Sequence, residues 1–225
     1  MKLLIDDANL DYIKKICEFY PIDGVTTNPS ILAKTKEDPY VVLKKIREFI
    51  GPDKQLHVQV IATDAETMFK EGKRITEELG ENTYIKIPAN PEGFKAMRLC
   101  KEAGLKVMGT AIYSKMQAYL SAKSGADYIA PYVNRIDNLG YDGVETVKGM
   151  QDLFENNGYS TQVLAASFKN SNQVLQLCEY GIGAATVACD IIEKFVDDNN
   201  VSKAIDAFTK DFEGLVGKGK DMSNI

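Results

Sequence analysis

A single histidine, His57, is all the imidazole this chain contains, and its four cysteines, Cys17, Cys100, Cys178 and Cys189, lie far apart with no Cys-x-x-Cys pair. Without a His-x-x-x-His or a Cys/His cluster, no metal cage is expected, and His57 reads as a packing residue rather than a ligand. A serine hydrolase is equally disfavoured, because there is no Gly-x-Ser-x-Gly elbow and no suitably placed histidine base. The cysteines sit in windows that read as buried helix or strand, the pattern of reduced structural thiols in a cytoplasmic protein. Lysine and arginine form no block and the net charge is −5, so neither a nucleic-acid surface nor an anionic membrane surface is expected. No apolar run approaches twenty residues, and Met1 leads at once into Leu3-Leu4-Ile5, so neither membrane insertion nor export is expected. Gly-x-Gly-x-x-Gly and Gly-x-x-x-x-Gly-Lys-Ser/Thr loops are absent too, and with them the usual signals of nucleotide binding.

What remains is 225 residues, 44% hydrophobic and 26% charged, with no linker or low-complexity segment to split them. Eight β-rich runs recur: 2–6, 24–28, 57–61, 84–88, 106–110, 128–133, 162–167 and 184–189. Helical periodicity fills the intervals, as in Ala65, Met68, Phe69 and Ile75. Thr63-Asp64-Ala65-Glu66 resembles a capping box, and Asn90-Pro91 sets a capping residue before a first-turn proline. Strand starts roughly 22 to 33 residues apart leave room for one crossover helix each, hence parallel pairing. Alternation alone also allows an open doubly wound sheet, but polar residues at the strand ends favour closure, so the expected fold is an α/β protein, a (β/α)8 TIM barrel with an extra C-terminal helix, as one domain over residues 1–225. The final helix, 201–215, carries Val201, Ala204, Ile205, Phe208, Phe212 and Leu215 on one stripe, suited to covering the core or a neighbouring subunit; 217–225 reads as a mobile tail.

In such a barrel the chemistry belongs at the C-terminal strand ends, and here the last inward positions are unexpectedly polar. They are Asp6, then Thr26 and Asn28, then Gln59, Lys86, Thr110, Tyr132 and Ser167. Leu4, Met108, Ala130, Val163 and Ala165 are expected on the same face below them. Polar groups converging from seven strands without a ligand or water would each cost about 1–3 kcal/mol, so the barrel top reads as an active site. Lys86, within Tyr84-Ile85-Lys86-Ile87-Pro88, is the group to explain, because a buried ammonium is costly. A lysine among neutral polar groups loses its proton readily, attacks a carbonyl and forms a Schiff base. The resulting iminium stabilises the carbanion of carbon–carbon cleavage while a nearby group moves protons, a role suited to Tyr132. Gln59 and Thr110 are placed to hold a water for it, and Asp6 with Asn28 to bind hydroxyls of a sugar-like donor. Arg135, together with Ser167 and Lys169 ahead of the next helix, suits a phosphate group. No cofactor is called for.

These residues resemble the small transaldolase-like family, and within it the fructose 6-phosphate aldolases. The resemblance runs through 24–30, 59–60, 85–88, 109–111, 130–135 and 164–169, and spans essentially the whole chain. It implies a class I aldolase with Lys86 as the Schiff-base residue, Asp6 and Asn28 on the donor, and Arg135 with Ser167 on phosphate. It also implies a homo-oligomer, typically a decamer of two pentamers, with the C-terminal helix reaching a neighbour. Transaldolases of the family typically carry glutamate at position 59, phenylalanine at 132 and often arginine at 169. Gln59, Tyr132 and Lys169 therefore point to cleavage of fructose 6-phosphate into dihydroxyacetone and glyceraldehyde 3-phosphate. Transaldol transfer and a non-catalytic sugar-phosphate-binding barrel are the alternatives.

Overall fold

Each parallel strand must hand the chain to a crossover helix, and polar side chains make those hand-overs. The computed structural model describes residues 1–225 in two units, Met1–Ile192 and Glu193–Ile225. In the first, β1 (Lys2–Asp6), β2 (Gly24–Thr26), β3 (Gln55–Gln59), β4 (Thr83–Pro88), β5 (Lys106–Ile112), β6 (Tyr128–Pro131), β7 (Gln162–Ala165) and β8 (Ala184–Val187) pair in sequence order. All pairs are parallel, and Leu4 opposite Thr186 closes the barrel between β1 and β8. The helices are α1 (Leu10–Phe19), α2 (Pro29–Thr35), α3 (Pro39–Ile50), α4 (Ala65–Leu79), α5 (Pro91–Glu102), α6 (Lys115–Lys123), α7 (Val133–Asn138), α8 (Gly143–Asn156), α9 (Ser171–Tyr180) and the short α10 (Cys189–Ile192). The second unit holds α11 (Asn199–Val216). The expected (β/α)8 barrel is therefore the fold. Two crossovers depart from one helix each: α2 with α3 follow β2, and α7 with α8 follow β6.

Asn9, Asn28, Asp38, Asn90, Ser114, Asp142 and Asn170 each accept a backbone N–H in the first turn of their helices, a contribution typically of about 1 kcal/mol apiece. Pro29, Pro39 and Pro91 supply the preset φ just inside three of these starts. At α4 the cap is Asp64, which accepts from the Thr67 amide, one residue beyond Thr63 and in place of the box expected there; the capping box that does form is Ser114 with Gln117 at α6.

The barrel separates two apolar layers. Leu4, Met108, Tyr128, Ala130, Leu164, Ala166 and Ala184 fill the interior, whereas Ile129, Val147, Met150, Phe154, Val163, Ala165 and Leu177 pack between strands and helices. Leu4, Met108 and Ala130 face inward as expected. Val163 and Ala165 do not: they face the helices, because β7 presents Leu164 and Ala166 to the interior. At the lower end, Arg47 of α3 donates to the carbonyls of Gly51, Lys54, Leu79 and Asn82 and to the Thr83 hydroxyl, at 2.8 to 3.2 Å. One planar guanidinium thereby ties the α3, β3 and β4 segments together.

None of the four cysteines is in a disulfide; Cys100 and Cys189 are buried, while Cys178 is exposed, contrary to its apolar-looking window on α9. No helix is long and apolar enough to cross a membrane. In the second unit α11 begins two residues before the expected 201 and ends one beyond 215. Its Val201, Ile205, Phe208 and Leu215 are all more than half exposed, Phe208 at 71%. Residues 217–225 form no regular element.

Candidate active site

Strand register decides which side chains meet at the C-terminal mouth. Gln59 of β3 lies opposite Lys86 of β4, one inward step above His57 opposite Tyr84. Lys86 is 4% exposed, and its Nζ donates to the Thr27 carbonyl at 2.8 Å. That carbonyl is available because the chain leaves β2 after Thr26, with the Thr27 amide and hydroxyl both turned to the His57 carbonyl. Burial pulls the Lys86 amine below the ordinary lysine value, and the Asp6 charge opposes that shift without outweighing it. The lysine thus holds a larger neutral, nucleophilic fraction than a solvated one.

Asp6 stands at the end of β1, where burial raises its carboxyl above the usual carboxylate value; the Lys86 charge and a hydrogen bond from Thr26 act the other way. Thr26 Oγ1 donates to Asp6 Oδ1 at 2.7 Å and lies 2.7 Å from Thr186 Oγ1. With its single proton committed to Asp6, Thr26 must accept from Thr186. Thr186 therefore completes this edge of the mouth from β8, the one strand for which the sequence suggested no polar end.

The opposite edge is built from β5 and the segment after β6. Thr110 Oγ1 and the Tyr132 hydroxyl lie 3.0 Å apart. The Arg135 guanidinium covers the Tyr132 ring at 4.6 Å and donates to the Tyr113 hydroxyl at 3.3 Å, while Tyr113 meets Tyr132 edge to face at 5.6 Å. The sequence did not suggest Tyr113. It reaches this cluster because the β5–β6 register slips between Gly109 and Ile112, where Ala111 takes φ +56°. Ser167 is a second left-handed non-glycine residue, φ +60°. Such backbone costs about 1–3 kcal/mol and has to be held by its surroundings.

The mouth opens into a cleft of about 940 Å³ whose lining includes Asp6, Asn28, Lys34 and Arg135. Asn28 spends its only side-chain oxygen on capping α2, through the Ile31 amide at 3.0 Å, which leaves Nδ2 as a donor. Register brings Gln59 beside Lys86. Ser167 and Lys169 are held through their backbones, the former accepting from the Asn134 amide at 2.8 Å and the latter donating to Gln173 at 2.7 Å. Their side chains make no bond to the Lys86 cluster. No three His, Cys, Asp or Glu side chains converge as a metal site.

Beneath the mouth, His57 is fully buried, stacked on Tyr84 at 4.6 Å, with Nε2 3.1 Å from Gln55 Oε1. Gln55 Nε2 faces the Tyr84 and Tyr128 hydroxyls, which assigns the imidazole proton to Nε2. Burial, reinforced by the charge of Lys86, keeps His57 well below its ordinary pKa and hence neutral.

A family profile described as "Transaldolase/Fructose-6-phosphate aldolase" matches residues 3–224 of this chain. The chain belongs to the transaldolase/fructose-6-phosphate aldolase family. Its activity is accordingly of the transaldolase or aldolase type. Among solved structures, one described as a "cube-shaped, highly porous protein cage designed by fusing symmetric oligomeric domains" is similar at TM-score 0.62 and 10% identity, over 97% of this chain and 79% of that one. A second, described as "Native KDPGal structure", is similar at TM-score 0.57 and 11% identity, over 84% of this chain and 82% of that one. At such identity these likenesses speak for the barrel alone.

Proposed function

We propose that this transaldolase/aldolase family member is a class I aldolase that cleaves fructose 6-phosphate reversibly into dihydroxyacetone and glyceraldehyde 3-phosphate. The observation that carries this reading is the buried Lys86 amine, lowered in basicity and held 2.8 Å from the Thr27 carbonyl. Its lone pair attacks C2 of the ketose; the carbinolamine loses water with uptake of one proton, leaving an iminium. Removal of the proton from the C4 hydroxyl breaks the C3–C4 bond, expels glyceraldehyde 3-phosphate and leaves the enamine of dihydroxyacetone on Lys86. Protonation at C3 and hydrolysis then free the ketone and the lysine.

Tyr132 serves the proton step, acting with Thr110 3.0 Å away and with a water held by Gln59. Asp6, fixed by Thr26, and Asn28 receive donor hydroxyls; Arg135, Ser167 and Lys169 receive the phosphate. Gln59 and Tyr132 support aldol cleavage over transfer, because a hydroxyl donor at the enamine promotes its release as free ketone. A sugar phosphate is the partner, no cofactor is required, and the exposed stripe on α11 supports homo-oligomer formation. A cytoplasmic location accords with four cysteines that form no disulfide.

The test is detection of glyceraldehyde 3-phosphate from fructose 6-phosphate with no acceptor present. Steady production is the expected result. Production only after erythrose 4-phosphate is added assigns the chain to transaldol transfer instead, and binding with neither reaction assigns it to a sugar-phosphate sensor.

A further inference from the structure

We propose that Gln173 and Asp137, which touch no substrate, form a clamp that positions the phosphate grip and thereby sets the preference for phosphorylated aldehydes. The inference rests on the phosphate reading of Arg135, Ser167 and Lys169 given above. Those three residues come from two separate connections at the barrel top, the segment after β6 that holds α7 and the loop from β7 to α9.

The backbones are laced first. Ala166 N donates to Pro131 O, Val133 N to Ala166 O and Asn134 N to Ser167 O, all at 2.8 to 2.9 Å. Gln173, 9% exposed in the first turn of α9, then joins the outer parts of both loops. Its Oε1 accepts from the Lys169 amide at 2.7 Å, and its Nε2 donates to Asp137 Oδ2 at 2.6 Å. Asp137 turns its other oxygen to the Gly143 amide at 2.7 Å. The fit there is close: a Cβ on Gly143 would stand 2.3 Å from Val133 O and 2.9 Å from Asp137 Oδ1.

The chain therefore runs from Lys169 through Gln173 and Asp137 to the start of α8. It spans the strained turn at Ser167 on one side and the helix bearing Arg135 on the other. A carboxylate-assisted hydrogen bond in a half-buried setting is among the stronger neutral-to-charged contacts available to hold such a turn. Each clamp atom also has a defined donor or acceptor role, so the pair is directional: amide hydrogen toward Asp137, amide oxygen toward Lys169.

That directionality supplies the experiment. Gln173→Glu sets two carboxylates face to face, and Asp137→Asn leaves a single side-chain oxygen for two donors, Gln173 Nε2 and the Gly143 amide, so either change alone costs the clamp one of its hydrogen bonds. Together they restore it, since the new amide donates to the new carboxylate and every backbone partner is kept. The full-length native protein and the three variants are assayed in the synthetic direction with dihydroxyacetone and either glyceraldehyde 3-phosphate or unphosphorylated glyceraldehyde. Each single variant is expected to raise KM for the phosphorylated aldehyde about tenfold or more, with kcat/KM for glyceraldehyde and borohydride trapping of dihydroxyacetone changed less than about twofold. The double variant is expected to recover native selectivity.

Native selectivity that survives in both single variants refutes the clamp. Equal loss on both aldehydes, without recovery in the double variant, refutes it in favour of a purely structural role. A native protein with no preference for the phosphorylated aldehyde refutes the phosphate reading itself and the clamp with it.

Discussion

Replacing Tyr132 by phenylalanine removes one oxygen from the mouth and leaves its surroundings in place. The ring keeps its edge contact with Tyr113 and its place under the Arg135 guanidinium, so the packing of these three side chains is retained. What disappears is the hydroxyl 3.0 Å from Thr110 Oγ1. For the fold, losing a single partly buried hydrogen bond costs about 0.5–1.5 kcal/mol. For the reaction the loss is larger, because a positioned proton donor contributes roughly 10²- to 10⁴-fold. The step most exposed to it is delivery of a proton to C3 of the enamine, which release of free dihydroxyacetone requires and transfer to a second aldehyde bypasses. With fructose 6-phosphate alone, glyceraldehyde 3-phosphate release in Tyr132→Phe is expected to fall by about 10²- to 10⁴-fold. With erythrose 4-phosphate present, the transfer rate is expected to fall at least tenfold less. A coupled dehydrogenase assay run with and without acceptor gives both rates on one preparation. An unchanged ratio of the two would refute the assignment of Tyr132 to enamine protonation, and an unchanged cleavage rate would remove it from the chemistry altogether.

Asp6→Asn keeps an oxygen to accept from Thr26 but removes the charge that raises the Lys86 pKa. The amine then deprotonates at lower pH, so the acid limb of imine formation, followed by rapid-quench borohydride trapping, is expected to move to lower pH; a move to higher pH contradicts the charge assignment. Arg47→Ala strips five hydrogen bonds from the lower barrel, and a loss of about 2–4 kcal/mol in urea unfolding is expected, with a change under 1 kcal/mol contradicting its role as a tie. Phe208→Glu places a charge in the exposed stripe of α11, and light scattering is expected to show the native oligomer dissociating. A native monomer in solution refutes the oligomer reading.

The parallel strand order was legible because strand and helix signals alternate at a spacing that leaves room for crossover connections, with Asn–Pro and Asp caps marking helix starts locally; closure into a barrel was legible only from the polar residues that end seven of the strands. The register of Gln59 with Lys86 followed from simple alternation along β3 and β4. Alternation failed where the backbone leaves the extended region. Strand β7 stops at Ala165, Ala166 bridges to Tyr132, and Ser167 turns left-handed, so counting in twos back from Ser167 set Val163 and Ala165 on the wrong face. The slip after Gly109 likewise hid Tyr113. Thr186 escaped for a different reason: a threonine in Ala184-Ala185-Thr186-Val187 is an ordinary strand residue, and its meaning comes from Thr26, 160 positions earlier in the chain. The clamp between Gln173 and Asp137 is equally non-local. Glutamine in the first turn of a helix carries no signal until the α7 segment is folded against it.

The central claim is that Lys86 is the nucleophile, and it is tested most directly by borohydride reduction of the protein in the presence of dihydroxyacetone, followed by peptide mass mapping. The expected result is one reduced adduct, on the peptide containing Lys86, and none in Lys86→Met. An adduct elsewhere in the chain, or undiminished trapping in Lys86→Met, contradicts the account.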